Sequence, residues 1–369
     1  MLKVVYIPTL TSGVCHWRIE SYAQELLKFF PEASVHVNYM PGFKEKIAWD
    51  KICLGFGDTS KQIQEQLESC FQVFDVIIFQ KIQYKEALAL LEKYKEMYPE
   101  TKIIAEIDDS VGHVGPSNPH FFQFADHHKW AAQHCIMSDG IITSTEYLAK
   151  SLAEFNDNIH VAPNCINTKI WEFLSPELPT GGPARIGYVG AGSHDEDLKI
   201  AYKAMLPLLD SGDFKFIIRY GGFRPKWLKK HKAIDFKRVA WTMDKYPQKL
   251  ADLNLELALA PIRDTEFNRC KSNLKWIEWS SLGVPLLASR VEPYDKTVGS
   301  IYLTSNDVND WTTFIKGLSP HLRTNPEAMR RILQRENREN YNINNETRKL
   351  IDWLKTVKVA EKADERITR

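Results

Sequence analysis

Two doubly wound α/β domains in succession are what this sequence predicts, on three observations. At 369 residues the chain is too long for one ordinary hydrophobic core, so two domains are expected. Short apolar runs alternate with longer helix-like stretches, the pattern of parallel strands covered by helices. The alternation breaks at residues 175–183, a stretch dense in Pro and Gly that reads as a linker.

The first set of strands is expected at 4–7, 35–39, 76–79, 102–107, 140–143 and 160–163. Helices are expected between them at 19–29, 84–98 and 145–153. Together they make a first domain over residues 1–174. The second set begins directly after the break, at 185–189, 215–219, 238–241, 256–261, 284–289 and 301–304, in a domain over 183–339. A charged helical tail follows Asn325, with Trp353 and Leu354 as apolar anchors, and residues 358–369 read as a frayed end.

Hydrophobic residues are 44% of the chain and the net charge is +1. That fits globular cores and excludes a global electrostatic pull toward nucleic acid or membrane. The six cysteines, Cys15, Cys53, Cys70, Cys135, Cys165 and Cys270, form no CxxC pair. Thiols in a reducing cytoplasm are the expectation. The N-terminus enters a strand pattern without a signal-peptide apolar region. No apolar run reaches the ~18 residues of a spanning helix.

The most informative stretch is Phe267-Asn268-Arg269-Cys270-Lys271-Ser272-Asn273-Leu274-Lys275-Trp276-Ile277-Glu278, followed by Leu282-Gly283-Val284-Pro285. It reads as polar loop, helix, Gly stop, Pro and apolar strand. Ser272 or Asn273 can cap the helix start and Gly283 can end it. Arg269 and Lys271 precede the helix N-terminus, where backbone N–H groups already favour an anion. Glu278 lies inside the helix between apolar neighbours. A carboxylate there needs a partner, and ligand hydroxyls are one candidate. A diphosphate at the helix mouth with a sugar hydroxyl pair beneath it describes a nucleotide-sugar site.

These residues resemble the donor-site signature of GT-B glycosyltransferases, especially glycosyltransferase family 4. That family carries a Glu-x7-Glu pair followed by Gly-x-Pro-Val. Glu278 matches the second Glu, which in the family binds the nucleotide ribose. The first Glu falls at Cys270, a departure that bears on how the donor sugar's hydroxyls are held. The resemblance implies two Rossmann-like domains facing across a cleft, with the last helix, about 340–369, returning to the first domain. It also implies a nucleoside-diphosphate sugar as donor substrate, with no metal or other cofactor required.

Other loops fall in place by the rule that open α/β sheets bind ligands outside the carboxyl ends of their strands. Gly190-Ala191-Gly192-Ser193-His194 follows the first strand of the second domain, where Gly190 and Gly192 let backbone amides approach a phosphate. Ser193 and His194 can add hydrogen bonds. Asp195, Glu196 and Asp197 come next where many family 4 enzymes have Arg and Lys. The cationic role therefore passes to Arg269, Lys271 and Lys275. Gly13, after the first strand, resembles the glycine loop that approaches the donor, and Arg18 faces either the acceptor or solvent. Glu106, Asp108 and Asp109 at the end of the fourth strand resemble a Glu-x-Asp-Asp strand end of some family 4-like enzymes. Asp109 or His113 can orient the reacting hydroxyl, with Asp108 on the acceptor side.

The histidines His113, His120, His127, His128 and His134 invite a zinc reading, but no Cys pair accompanies them, and packing or an acceptor lip is preferred. No metal site is expected. The irregular stretch 41–59 is expected to wall the acceptor. The run Arg224-Pro225-Lys226-Trp227-Leu228-Lys229-Lys230-His231-Lys232, extended by Lys237 and Arg238, is the strong basic patch. It is either a solvated face or an attraction for an anionic acceptor: a glycan, a lipid-linked glycan or DNA.

The reading is a cytoplasmic transferase, peripheral to a membrane if the patch meets one. It would move a sugar from a nucleoside-diphosphate donor to a hydroxyl acceptor, with retention by resemblance. Two alternatives remain open at this point: a phage-type transferase acting on DNA bases, and a non-catalytic relative that keeps a nucleotide site.

Overall fold

The computed structural model describes residues 2–7, 16–29, 35–37, 74–82, 85–112, 127–166, 168–171, 174–177 and 181–359. Two compact units result: unit 1 from residues 1–164 and 343–369, and unit 2 from residues 165–342. The first changeover, at 164/165, falls ahead of the Pro- and Gly-rich stretch that sequence reading took as the boundary, and the second falls at 342/343.

Unit 1 holds β1 (Val4–Ile7), α1 (Ser21–Phe29), β2 (Val35–Val37), β3 (Val76–Gln80), α2 (Lys85–Met97), β4 (Lys102–Ile107), α3 (His127–Met137), β5 (Gly140–Thr143), α4 (Glu146–Leu152) and β6 (Ile159–Val161). Its sheet has the order β2-β1-β3-β4-β5-β6, with every pair parallel. Strands buried on both faces explain the near-continuous Val/Ile runs. Val5, Ile7, Ile77, Phe79 and Ile103 pack against Leu88, Leu91 and Tyr94 of α2. The first helix begins differently from the expectation. Residues His16–Glu20 form a π-helical turn that leads into α1. Thr145 caps α4, its side chain accepting from the N–H of Leu148 at 3.2 Å.

Unit 2 continues with α5 (Thr168–Trp171), β7 (Ala184–Gly190), α6 (Asp195–Met205), β8 (Phe214–Tyr220), β9 (Ile234–Arg238), α7 (Tyr246–Ala251), β10 (Leu257–Ala260), α8 (Glu266–Arg269), α9 (Leu274–Ser281), β11 (Leu286–Ser289), β12 (Tyr302–Thr304), α10 (Val308–Leu322) and α11 (Pro326–Asn340). Its sheet order is β12-β11-β10-β7-β8-β9, again all parallel. The third strand sits four residues earlier than the expected 238–241. Ile234-Asp235-Phe236-Lys237 alternates apolar and polar, as an edge strand half-covered by a core requires. Ile234 and Phe236 meet that core, whereas Lys237 and Arg238 are exposed.

The last helix, α12 (Ile343–Thr356), belongs to unit 1. Lys102 Nζ donates to the carbonyl of Leu354 at 2.9 Å, and Trp353 Nε1 donates to Asn158 Oδ1 at 3.0 Å. The Trp353 ring stacks on His160 with centroids 5.2 Å apart. Of the two expected anchors, Leu354 is fully buried and Trp353 half-buried.

Gly283 ends α9 in the left-handed region, φ +70°. The N–H of Val284 reaches the carbonyl of Trp279 at 2.9 Å and the N–H of Gly283 that of Ser280 at 3.0 Å, the paired bonds of a Schellman cap. A Cβ here would lie 2.2 Å from Arg330 Cγ and 3.0 Å from its Cα. Gly283→Ala is therefore expected to destabilise unit 2 by roughly 2–4 kcal/mol, from the left-handed φ and the overlap together. A urea midpoint shifted at unchanged slope reads it; a change under ~0.5 kcal/mol would contradict the cap.

Candidate nucleotide-sugar site

In unit 2 the winding direction reverses at β7, which pairs with β8 on one side and β10 on the other. The crevice at the carboxyl ends of β7 and β10 is where such a sheet receives a ligand. Gly190 ends β7, and the turn Gly192–His194 leads into α6. A Cβ on Gly190 would stand 2.6 Å from the Tyr188 hydroxyl, so packing alone demands glycine there. Ser193 is the middle residue of the turn.

The three carboxylates after the turn bind the protein itself. Asp195 accepts from Trp227 Nε1 at 2.9 Å and from the Tyr220 hydroxyl at 3.2 Å. Glu196 bonds Lys199. Asp197 is buried and meets His194 Nδ1 at 2.8 Å, while its other oxygen accepts the N–H of Arg263 at 2.9 Å. Asp197 thus ties the β7 turn to the loop after β10. Burial lowers the His194 pKa against that bond to Asp197, and Lys271 and Lys275 lower it further.

Helix α9 supplies the charged core. Asn273 sits at its N-cap but makes no capping bond. Its amide donates instead to the Tyr341 hydroxyl at 2.5 Å and Thr297 Oγ1 at 3.2 Å. The expected cap is thus corrected: Asn273 anchors the helix to the residues beyond α11 and leaves the N-terminal amides without its side chain. Lys275 Nζ donates to the Val189 carbonyl and lies 5.0 Å from the Tyr188 ring centre. Burial pulls its ammonium pKa down while Glu278 opposes the shift. Lys271 stands 4.4 Å over the Phe267 ring, and Ser272 is half-buried between Lys271 and the cap.

Glu278 is 5% exposed. The Tyr246 hydroxyl donates to its Oε2 at 3.1 Å. Desolvation pushes the Glu278 carboxyl up to about 7 against Lys275 one turn away and the Tyr246 bond. Tyr246, raised by burial and then by Glu278, keeps its proton and so remains the donor. Trp171 and Trp241 border Tyr246, with ring centroids at 6.5 and 6.0 Å. Tyr246 is a partner of Glu278 that sequence reading did not find. A tyrosine at the first turn of a short helix carries no motif of its own.

One expected donor residue changes character, and the position of the family's first Glu proves to be core. Arg269 forms a fork on Asp264, at 2.6 and 3.0 Å, in a pair close to half exposed. Cys270 is fully buried, part of the core rather than of a binding surface.

In unit 1 the switch point lies between β1 and β3. Gly13, His113, His120, the stretch 41–59 and most of the expected lip lie outside the described residues. Arg18 is not an open acceptor group. It is 3% exposed, with Nε donating to Glu106 Oε1 at 2.7 Å and Nη1 to the carbonyl of Ala162 at 2.5 Å and Asn164 Oδ1 at 3.3 Å. The π-helical turn rotates it inward. Desolvation raises the Glu106 carboxyl to about 7, against Arg18 and reinforced by Asp108. Asp108 and Asp109 are half-buried just past the end of β4. His134 is a core group: its Nδ1 accepts the N–H of Ile82 at 3.2 Å, and burial lowers its pKa to about 3.

Among the described residues no group of His, Cys, Asp and Glu could hold a metal ion, and no helix is long and apolar enough to cross a membrane. Trp227, inside the basic run, packs on Tyr202 at 5.5 Å and bonds Asp195.

No protein-family model and no curated protein sequence matches the chain. Solved structures are similar to it. The catalytic domain of starch synthase IV from Arabidopsis thaliana, bound to ADP and acarbose, has a TM-score of 0.68 at 10% identity, over 96% of this chain and 99% of that one. HepE of Anabaena, in complex with UDP and glucose, has a TM-score of 0.65 at 10% identity, over 96% and 100%. The lipopolysaccharide outer core galactosyltransferase WaaB, in its apo form, has a TM-score of 0.62 at 12% identity, over 96% and 99%. The class is thereby defined: this chain has the GT-B fold.

The two cations before α9 meet different partners: Arg269 the Asp264 carboxylate and Lys271 the Phe267 ring. Lys271→Ala is expected to weaken pyrophosphate binding about tenfold or more, as for loss of a charge-assisted bond. Arg269→Ala, whose guanidinium Asp264 already holds, should change it less than about threefold. Calorimetry with pyrophosphate ranks the two; equal losses would return Arg269 to the site.

Proposed function

We propose that this chain is a glycosyltransferase of the family 4 type, moving a sugar from a nucleoside-diphosphate donor onto a hydroxyl acceptor with retention. The observation that carries the reading is Glu278. A carboxylate sealed inside a helix, at a switch point, beside Lys275 and near a helix N-terminus that Asn273 does not cap, suits a ribose below a diphosphate. The GT-B fold and neighbours solved with ADP or with UDP and glucose support it.

In this reading Glu278, steadied by Tyr246, accepts hydrogen bonds from the ribose hydroxyls. Lys271, Lys275 and the amides of the Gly190–Gly192 turn and the α9 N-terminus surround the diphosphate. The bond from the anomeric carbon to the diphosphate oxygen breaks, and these donors stabilise the charge that develops on that oxygen. The acceptor hydroxyl attacks the same face, and its proton passes to the departing diphosphate. In the same reading Asp109 or His113 orients the acceptor hydroxyl, with Asp108 on the acceptor side. This reading assigns charge stabilisation to basic side chains and amides, so chelation by EDTA should leave turnover nearly unchanged. Loss on chelation, restored by Mg²⁺ or Mn²⁺, would instead make Asp108 and Asp109 ligands.

A thermal-shift screen over nucleoside-diphosphate sugars tests the class, since a ligand at 100 times its Kd stabilises by about 2.7 kcal/mol. No shift with any of them would refute the proposal. The pH dependence then tests Glu278. With its carboxyl near 7, the accepting, ionised form grows as pH rises from about 6 to about 8. The wild type should gain affinity over Glu278→Gln across that window, reaching about tenfold or more at its alkaline end. A ratio independent of pH, read by calorimetry, would remove Glu278 from the ribose.

A further inference from the structure

The open edge of the unit 2 sheet carries a charge that the donor reading does not use. Among the described residues strand β9 pairs with β8 alone. Between Gly222 and Arg238 the chain has seven Lys and Arg against one carboxylate, in a protein of net charge +1. That carboxylate, Asp235, is bound by Arg219 at 2.8 Å, and the nearby Asp210 by His231 at 3.1 Å. Lys226, Lys229, Lys230, Lys232 and Lys237 are exposed, and none belongs to an ion pair among the described residues.

The loop presenting them is held firmly. Leu228 is 3% exposed. Arg224 donates through Nε to the carbonyl of Leu228 at 3.0 Å and through Nη2 to that of Lys229 at 2.8 Å. Beside the lysines stands Phe223, 79% exposed, the most exposed of the large hydrophobic side chains described. Arg238 lies over its ring at 4.2 Å. Both arginines are therefore engaged within the protein.

That distribution discriminates between polyanions. Recognition of nucleic acid favours open arginine forks and several rings for stacking. Here the open charges are flexible, strongly hydrated lysine ammoniums around a single apolar ring. Such a set fits a surface of anionic headgroups, where point charges add up and an apolar side chain can enter the acyl boundary. We propose that this edge of unit 2 docks the chain on the anionic face of a phospholipid bilayer, with the five lysines over lipid phosphates and Phe223 among the headgroups. The surface does not depend on the donor-site reading.

Co-sedimentation of the full chain with vesicles tests it. Vesicles of phosphatidylcholine with about 30 mol % phosphatidylglycerol should bind the chain, and pure phosphatidylcholine should not. About 0.5 M salt should release it. Each of Lys229→Ala and Lys230→Ala should weaken partitioning about fivefold, and Phe223→Ser should weaken it at every salt concentration. Thermal melting and nucleotide affinity should stay unchanged, which separates this result from a failure of the donor reading. Equal binding to neutral and anionic vesicles would overturn the proposal. Displacement from vesicles by duplex DNA, with the steep salt dependence of phosphate contacts, would overturn it in favour of nucleic acid.

Discussion

The buried carboxylate of Glu278 is the constraint on which the second unit's architecture turns. A charge taken out of water is costly unless it is paired and hydrogen-bonded. The chain answers with Lys275 one turn back on the same helix and with the Tyr246 hydroxyl from α7. Lys275 is itself tethered to the Val189 carbonyl at the end of β7. One helix therefore couples the ends of β7 and α7, and its own position must be fixed. Asn337 fixes it from α11, donating to the Ile277 carbonyl at 2.9 Å and Ser280 Oγ at 2.7 Å. The Gly283 cap closes the other end. A site held this way is preorganised, because its charged groups are oriented by the protein before any ligand arrives.

Unit 1 has a comparable pair and resolves it the other way. Arg18 and Glu106 meet at the end of β4, both nearly sealed. Arg18 is further satisfied by Ala162 and Asn164, which fastens the first helical turn to the chain after β6. Removing one partner of such a pair would leave an uncompensated buried charge. That makes Arg18 a strut rather than a hand held out to a ligand. Both carboxyls are pushed to about 7 by burial, but Glu106 is closed off by Arg18 at 2.7 Å, whereas Glu278 lies on the helix whose N-terminus follows Lys271. A shifted carboxyl alone therefore does not mark a binding site; its surroundings do.

Much of this was legible in the sequence because the signals were local. Parallel strands buried on both faces write themselves as apolar runs, and the runs recovered eleven of the twelve strand positions closely. The miss, at β9, follows from edge geometry: Ile234-Asp235-Phe236-Lys237 alternates, and the more continuous apolar run beside it drew the eye. Gly283 was legible because a left-handed cap has one favoured residue. The roles of Arg18, Asn273 and Trp227 were not legible, since each is decided by a partner far away in sequence: Glu106, Tyr341 and Asp195. Asp197 was visible as a carboxylate, but nothing in its neighbours announces that it binds the backbone after β10.

Cys270 shows how a departure from a family pattern can be read physically. Its position follows α8, where Thr265 accepts the N–H of Asn268 at 3.2 Å and Asn268 donates to the Arg263 carbonyl at 2.9 Å. The turn is thus built from its own hydrogen bonds. The side chain after it enters the core at 0% exposure, where a glutamate would be a buried charge. The same packing that excludes a carboxylate at Cys270 delivers Lys271, the next residue, half-exposed before the α9 N-terminus. In this chain the α8–α9 turn therefore offers a donor ligand positive charge and amides, not a carboxylate acceptor. Under the proposed function, recognition of the sugar's hydroxyls falls to other groups, and Lys271 with the α9 amides meets the diphosphate.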